Sequence, residues 1–461
     1  MRLLSVIDSW AVTLRPAFSR EASFRWFVLV LWGLSLRVEG EGATSIIRCL
    51  GLTGADYPGL LHFFHSSAFH VKTLCHHWLA LVHRVAPAMR VAGRRVYLFD
   101  GLKVGKAGHK MPGVKTMHQE SGNTNKPEFF MGHYWGALTL LVGNDNQLFA
   151  LPIRFQLQDG LKRSPSEKAT LPQKMCLLAT ETVKEAALFV GDRYFACKKV
   201  LAGLVTAGHH FIGAVRINSV AYLPPPPRPP GTRGRPRKYG DKVVLVELFK
   251  SLDLFQTTEV CLYGELQKVH YLSVDLWWLG MWVRFVLSIN EQGRRGIFVS
   301  TDVTLDPVTI LRTYGFRFRI EEGFKVLIHT LLGMNYRFWM KAMEKVKRGG
   351  GDQYLHRAGE RYRAAVARKV EAYERFVNIA GMAMGMLQVL ALTVPEAAGA
   401  GGLYFRTMPR SQVPSVRQVQ LTLQGEVFRF FRRNEGTSLL AKILTRHERA
   451  DVTDHPHQLA A

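Results

Sequence analysis

Between Arg94 and Ile217, short runs rich in β-branched and aromatic residues alternate with segments of helical length. This alternation limits the possible folds more than any other feature of the chain. RRVYLFDGLKV reads as an apolar strand ending in Asp100, followed by the strands GHYWGALTLLVG and QLFALPIRFQLQ. A helix is expected over residues 171–188, starting near Pro172. AALFVGDRYFACKKVL gives a buried strand that ends in Asp192 and leads into a second helix, and HHFIGAVRI is one more strand. Three strands, helix, strand, helix is the order of an α/β core with one parallel pair crossed by a helix.

The flanks read differently. Residues 1–90 have apolar spacing of helical period, interrupted at Gly51, Gly54 and Pro58. The histidines between His62 and His83 scatter around the helix without a tetrahedral set, which argues against a metal site there. Residues 224–238, PPPPRPPGTRGRPRK, form a linker: the proline run resists packing and stays extended. Its Arg233, Arg235, Arg237 and Lys238 are candidates for DNA contact. They either lie in a narrow minor groove or touch phosphates from a flexible loop. Strand-like runs KVVLVELF, TTEVCLYGEL, MWVRFVLSI and GIFVS then form a β-rich insertion.

From Gly296 to Lys325 the reading is a strand, a turn region around Asp302 and Asp306, and one helix carrying Glu321. On that helix Tyr314, Arg317, Glu321, Phe324 and Lys325 would share a face. Lys341–Lys369 is a basic run split by Gly349–Gly351, and the segment after Pro395 reads as strand-like, then helical. The expected organisation is a helical domain at 1–90, a first core part at 91–223, linker and insertion at 224–300, a second core part at 301–395 and a basic tail at 396–461.

Charge narrows the partner. With 61 Lys and Arg against 36 acids, the formal net charge is +25, which implies a polyanion: nucleic acid first, an anionic membrane second. Five cysteines without a CxxC pair argue against a zinc ribbon or disulfide framework and for a reducing compartment. Phe376–Val394 is uncharged and long enough to span a bilayer. It contains Asn378 and Gln388 and continues a highly charged helix, so it is expected to be a core helix. The N-terminus lacks the pattern of a signal peptide, and a cytoplasmic location without a membrane partner is expected.

Asp100 and Asp192 each end an apolar strand, where α/β sheets gather reactive groups, although aspartate also favours turns. With Glu321 they would make a cage of hard oxygens suited to Mg²⁺. Two such ions suit an in-line displacement at phosphorus. Asp302 is a rival to Asp192 but is read as a turn residue, and Glu322 is a rival to Glu321.

The blocks LFDGLKV, LFVGDRYF and YGFRFRIEEGFK, with Ser300–Asp302 and Tyr314-x2-Arg317-x3-Glu321, resemble DDE transposases of bacterial insertion sequences. The likeness is to the branch with a Tyr-Arg-Glu-Lys signature and covers roughly residues 90–395. It implies a ribonuclease H-like core with a β insertion before the glutamate, preceded here by the helical N-terminal domain. It implies Mg²⁺ as two ions, with Mn²⁺ as a substitute, held by Asp100, Asp192 and Glu321. Tyr314 and Arg317 would position DNA phosphates. The signature's lysine is replaced by Ile328, leaving Lys325 as its stand-in. The implied activity is cleavage at inverted-repeat ends and transfer of the 3′ hydroxyl to target DNA, by a homodimer on double-stranded DNA. The alternatives are a ribonuclease H-like nuclease that never joins strands and a decayed transposase acting as a DNA-binding repressor.

Overall fold

The computed structural model describes residues 3–38, 40, 42–119, 127–144, 147–227, 234–235, 237–262, 265–347, 349–399, 413–433 and 438–454. It is an α/β molecule whose mixed sheet is flanked by N-terminal helices. The first layer holds α1 (Leu3–Thr13), α2 (Glu21–Leu36), α3 (Thr44–Cys49), α4 (Tyr57–His65) and α5 (Val71–Val85).

The core strands are β1 (Arg94–Gly105), β2 (Lys115–His118), β3 (Phe129–Asn144), β4 (Gln147–Leu157), β5 (Ala187–Gly191) and β6 (His210–Ala214). Helix α6 (Leu171–Thr182) leads into β5, and α7 (Lys198–Thr206) connects β5 to β6. Both β1–β5 and β5–β6 pair in parallel, so among the described residues the core sheet holds two parallel pairs where one was expected. Thr170 and Gln173 form a capping box at the start of α6, satisfying amides that have no partner within the helix. This helix ends at Thr182, short of the expected residue 188.

Strand β1 does not end at Asp100. Its parallel pairing with β5 stops at Leu98↔Val190, while its antiparallel pairing with β3 continues to Gly105↔Gly132. Asp100 therefore stands on a rigid strand just where one neighbour has run out. Asp192 directly follows β5.

The insertion contributes β7 (Val220–Tyr222), β8 (Lys242–Val244), β9 (Gln256–Leu262), β10 (Glu265–Trp278), β11 (Met281–Asn290) and β12 (Arg295–Ser300). KVVLVELF is a strand only to Val244 and then a 3-10 turn. TTEVCLYGEL is divided between β9 and the start of β10. These strands extend the core sheet, in the order β8-β7-β10-β11-β12-β6-β5-β1-β3-β2, because β12 pairs with β6.

The expected single helix after Asp306 is two. Asp306 caps α8 (Pro307–Gly315) by accepting from the Thr309 amide at 2.9 Å, and α9 (Phe318–Lys325) follows a break at Phe316–Arg317. Tyr314 is thus on a different helix from Glu321, and the expected common face is divided.

An irregular stretch then leads to α10 (Glu360–Thr393), and the described part of the tail is helical: α11 (Pro395–Gly399), α12 (Val416–Arg433) and α13 (Leu439–Asp454). No strand occurs in the tail among the described residues. Before α10 the basic run from Lys341 holds only a short strand, Gln353–Tyr354, and a 3-10 turn, Leu355–Arg357, among the described residues, not a continuous helical face. Among the described residues α10 is the helix long and apolar enough to cross a membrane, and 89% of its apolar window is buried in the protein. Two of its polar side chains find partners in that burial. The Asn378 carboxamide accepts from the Phe155 amide and donates to the Phe155 carbonyl, satisfying the outer edge of β4. The buried Arg375 donates to the carbonyls of Phe64 and Phe69.

Candidate active site

The break between α8 and α9 aims Arg317 at the sheet. One of its nitrogens, Nη1, donates to Asp100 Oδ2 at 3.2 Å; Nη2 donates to Glu321 Oε1 at 2.9 Å, one helical turn away. Asp100 Oδ1 accepts the Gly101 amide at 2.7 Å. Asp192 stands at intermediate exposure after β5 and accepts the Arg193 amide at 2.7 Å. Asp100 and Glu321, distant in sequence, thus share one guanidinium, with Asp192 just past the neighbouring strand β5.

Burial pushes the Asp100 carboxyl up to about 6, against the lowering effect of Arg317 and the Gly101 amide; Asp192 and Glu321 push it further up. The Arg317 guanidinium is held above its ordinary value despite burial, by Tyr314 and by the charges of Asp100, Glu321 and Asp192. A carboxylate that repels its neighbours and shares its cation is poised for further positive charge.

In chemistry the donor set fits a hard divalent cation: three carboxylates, an excess of negative charge, and only part of it neutralised. In spacing it does not yet close. Among the described residues no three His, Cys, Asp or Glu groups stand close enough together to hold a metal ion, since the guanidinium lies between Asp100 and Glu321.

The rival acids are occupied elsewhere. Asp302 is buried, receives Arg94 Nη1 at 2.6 Å and accepts both the amide and hydroxyl of Thr304, which bring its carboxyl down to about 2 despite burial. Glu322 pairs with Arg319 at 2.7 Å.

Asp100, Asp192 and Tyr314 line an open cleft of about 1480 Å³. That is more than the roughly 300–1,000 Å³ a small ligand needs, and it suits a polymer. Glu321 is not among the lining residues. Lys103, Lys115, Arg193, Arg216 and Arg295 also line the cleft, and sequence reading did not single them out. For Arg193 the adjacency to Asp192 was a usable signal; for the others only the fold brings them to the cleft.

Residues 13–251 match the family described as DDE superfamily endonuclease, over more than half of the chain. The chain belongs to that family. The matched stretch of this DDE-superfamily member contains Asp100 and Asp192 and stops before Glu321. A cryo-EM structure of a piggyBac transposase synaptic complex with hairpin DNA aligns with 93% of this chain and 76% of its own, at 12% identity and a TM-score of 0.37. At that distance the likeness carries no inference. No curated protein matches the chain.

The remaining sequence candidates of this DDE-superfamily protein are spread out. Tyr314 is largely buried, with its ring 4.7 Å from that of Phe298. Lys325 is exposed on α9, its ammonium 5.8 Å from the Phe318 ring, and does not line the cleft. Ile328 is half-buried against the core, an apolar role that a lysine would not fill. Arg235, Arg237 and Lys238 are exposed, with the Lys238 ammonium 5.5 Å from the Tyr239 ring. Arg233 lies outside the described residues.

Proposed function

We propose that the protein is a DNA transposase that cleaves at the inverted-repeat ends of an insertion sequence and transfers the 3′ hydroxyl to target DNA. It would act in the cytoplasm, as a homodimer that holds two ends at once. The observation that carries this reading is the Arg317 guanidinium bonded to both Asp100 and Glu321, with Asp100 and Asp192 together lining a cleft of about 1480 Å³.

Asp100, Asp192 and Glu321 would hold magnesium or manganese, which when bound supplies Lewis-acid polarisation at phosphorus. Arg317 is shared by two of those acids at rest and would orient a scissile phosphate, a task for which a planar fork suits better than an ammonium. Lys103, Arg193, Arg216 and Arg295 draw the backbone of the nucleic acid into the cleft, and Tyr314 shapes its wall. Arg235, Arg237 and Lys238 add phosphate contacts from the linker, so binding weakens steeply with salt.

The test is an oligonucleotide carrying an element end, incubated with magnesium and a target plasmid. Cleavage at the 3′ end followed by joined products is expected, and Asp100→Asn should abolish both while gel-shift binding persists. Cleavage without joined products would reduce the activity to that of a nuclease. Binding without cleavage, unchanged by Asp100→Asn, would leave a DNA-binding protein alone.

A further inference from the structure

The candidate active site makes no use of the basic run that begins at Lys341, and the segment leading into that run carries an aromatic face. Residues 334–347 contain four cations, Arg337, Lys341, Lys345 and Lys347, and one acid, Glu344. All four cations are exposed. Between Arg337 and Lys341 stands Trp339, which is 65% exposed. An indole left in water to that degree forgoes the burial by which such a side chain stabilises a fold.

The backbone holds this indole out. Burial alternates along the segment: Phe338 and Met340 are buried, while Arg337, Trp339 and Lys341 are exposed. The inward residues are tied down. The Phe338 ring stacks on that of Tyr373, and its carbonyl accepts the Tyr373 hydroxyl at 2.7 Å. The Met340 amide donates to the Lys110 carbonyl at 2.9 Å. Just upstream, Lys106 Nζ donates to the Met334 carbonyl and stands 3.6 Å from the centre of the Tyr336 ring. Turning Trp339 inward would break these contacts. Its ring also has a rest: a Cβ on Gly108 would lie 3.1 Å from its Nε1, so the glycine leaves room for the indole edge.

Residues 106–114, on which the segment lies, join β1 to β2, and those strands bring Lys103 and Lys115 to the wall of the cleft. Trp339 itself does not line the cleft. Its face is therefore outside the candidate active site, on the connection between two strands that build it.

The chemistry of the face selects its partner. A flat aromatic surface accepts a cation or another flat ring. Four neighbouring positive charges disfavour a cation. An anionic membrane would match the charge but takes an apolar patch, and Trp339 is the one exposed large hydrophobic side chain among the described residues 334–347. A polyanion with flat faces is nucleic acid, and its bases are open to stacking where they are unpaired. We propose that Trp339 is a stacking platform for an unpaired base of single-stranded DNA whose phosphates lie on Lys341 and Lys345. The inference rests on the proposed function in one respect, that DNA is the polymer of the adjoining cleft.

The test uses the full chain without divalent metal, so no cleavage is needed. Binding of a fluorescein-labelled single strand and of a duplex with the same number of phosphates is followed by anisotropy, and 2-aminopurine in the single strand reports stacking. Trp339→Ala should weaken single-strand binding about tenfold, within the range of one base–aromatic stack, and abolish the quenching of 2-aminopurine. Trp339→Phe should keep most of both. Duplex binding should change less than twofold in either variant. Replacing Lys341 and Lys345 together by alanine should flatten the slope of log affinity against log salt by about 1.4, the value of two phosphate contacts on a single strand, whereas Trp339→Ala leaves that slope unchanged. Because the indole is exposed, Trp339→Ala should melt with the parent. The proposal is overturned if the parent binds no single strand, if Trp339→Ala leaves single-strand binding within twofold, if the duplex weakens equally, or if the variant loses only binding to phosphatidylserine vesicles. Absence of cleavage in the transposase test would leave this binding intact, and a silent Trp339 would leave the transposase reading intact.

Discussion

Two aspartates, one within β1 and one just after β12, each face one arginine, and they behave in opposite ways. Asp302 owns its guanidinium: Arg94 and Thr304 serve it alone, and its carboxyl falls to about 2. Asp100 shares Arg317 with Glu321, looks toward Asp192 and rises to about 6. Desolvation opposes ionisation at both: at Asp100 it wins, helped by repulsion from Asp192 and Glu321, whereas at Asp302 the Thr304 hydrogen bonds and then Arg94 outweigh it. A satisfied acid holds the fold together. An unsatisfied one is placed to take up a cation.

The largest expected separation between the two is in activity. Asp100→Asn should lower DNA cleavage by about 10³-fold or more, the scale of losing one electrostatic contact at a reacting centre, while Asp302→Asn in folded protein leaves cleavage within a few-fold. Single-turnover cleavage rates at matched folded fraction check this.

Stability should reverse the order. Asp302→Asn removes the charge partner of Arg94 and should cost about 2 kcal/mol by chemical denaturation. Because the folded carboxyl of Asp302 lies below its unfolded value of 3.8, its contribution is complete above about pH 4 and lost as the pH falls through about 2. The difference between parent and variant should therefore shrink in acid. A difference that stays constant down to pH 2 would show that the ion pair is not its source.

Asp100 carries the opposite linkage. Its folded value lies above the unfolded one, so the ionised carboxylate costs stability above about pH 6, and that cost disappears as the pH falls toward 4. Without metal, Asp100→Asn should stabilise the protein at pH 7 by about 1–2 kcal/mol, since the group is partly open to solvent and its repulsion is screened. Calorimetry at pH 7 and pH 4 tests the sign. The smallest effect belongs to Glu322→Gln, whose half-exposed pair with Arg319 should change stability by no more than about 0.5 kcal/mol and cleavage by less than twofold. A strong loss of cleavage there would transfer the catalytic role from Glu321 to its neighbour.

Much of this was legible because it is local. The strand–helix alternation from Arg94 reports periodicity within a few residues, and the fold follows it. The Arg317–Glu321 pair needs only four-residue spacing, which survives although the helix breaks just before it. The break is not legible there: TYGFRFRIEEGFK keeps a continuous helical pattern that puts Tyr314 on the helix of Glu321, because spacing does not reveal where backbone hydrogen bonds are interrupted.

What the sequence by itself determined is the alternation of elements, the burial of the uncharged part of α10 and the excess of basic charge that calls for a polyanion. Only the tertiary structure decided that Asp100 meets an arginine 217 residues away and that Asp302 meets one 208 residues back. The physical reason is that periodicity and short-range pairing are written in neighbouring residues. The partner of a buried charge depends on strand register and packing, which nothing within a few residues specifies.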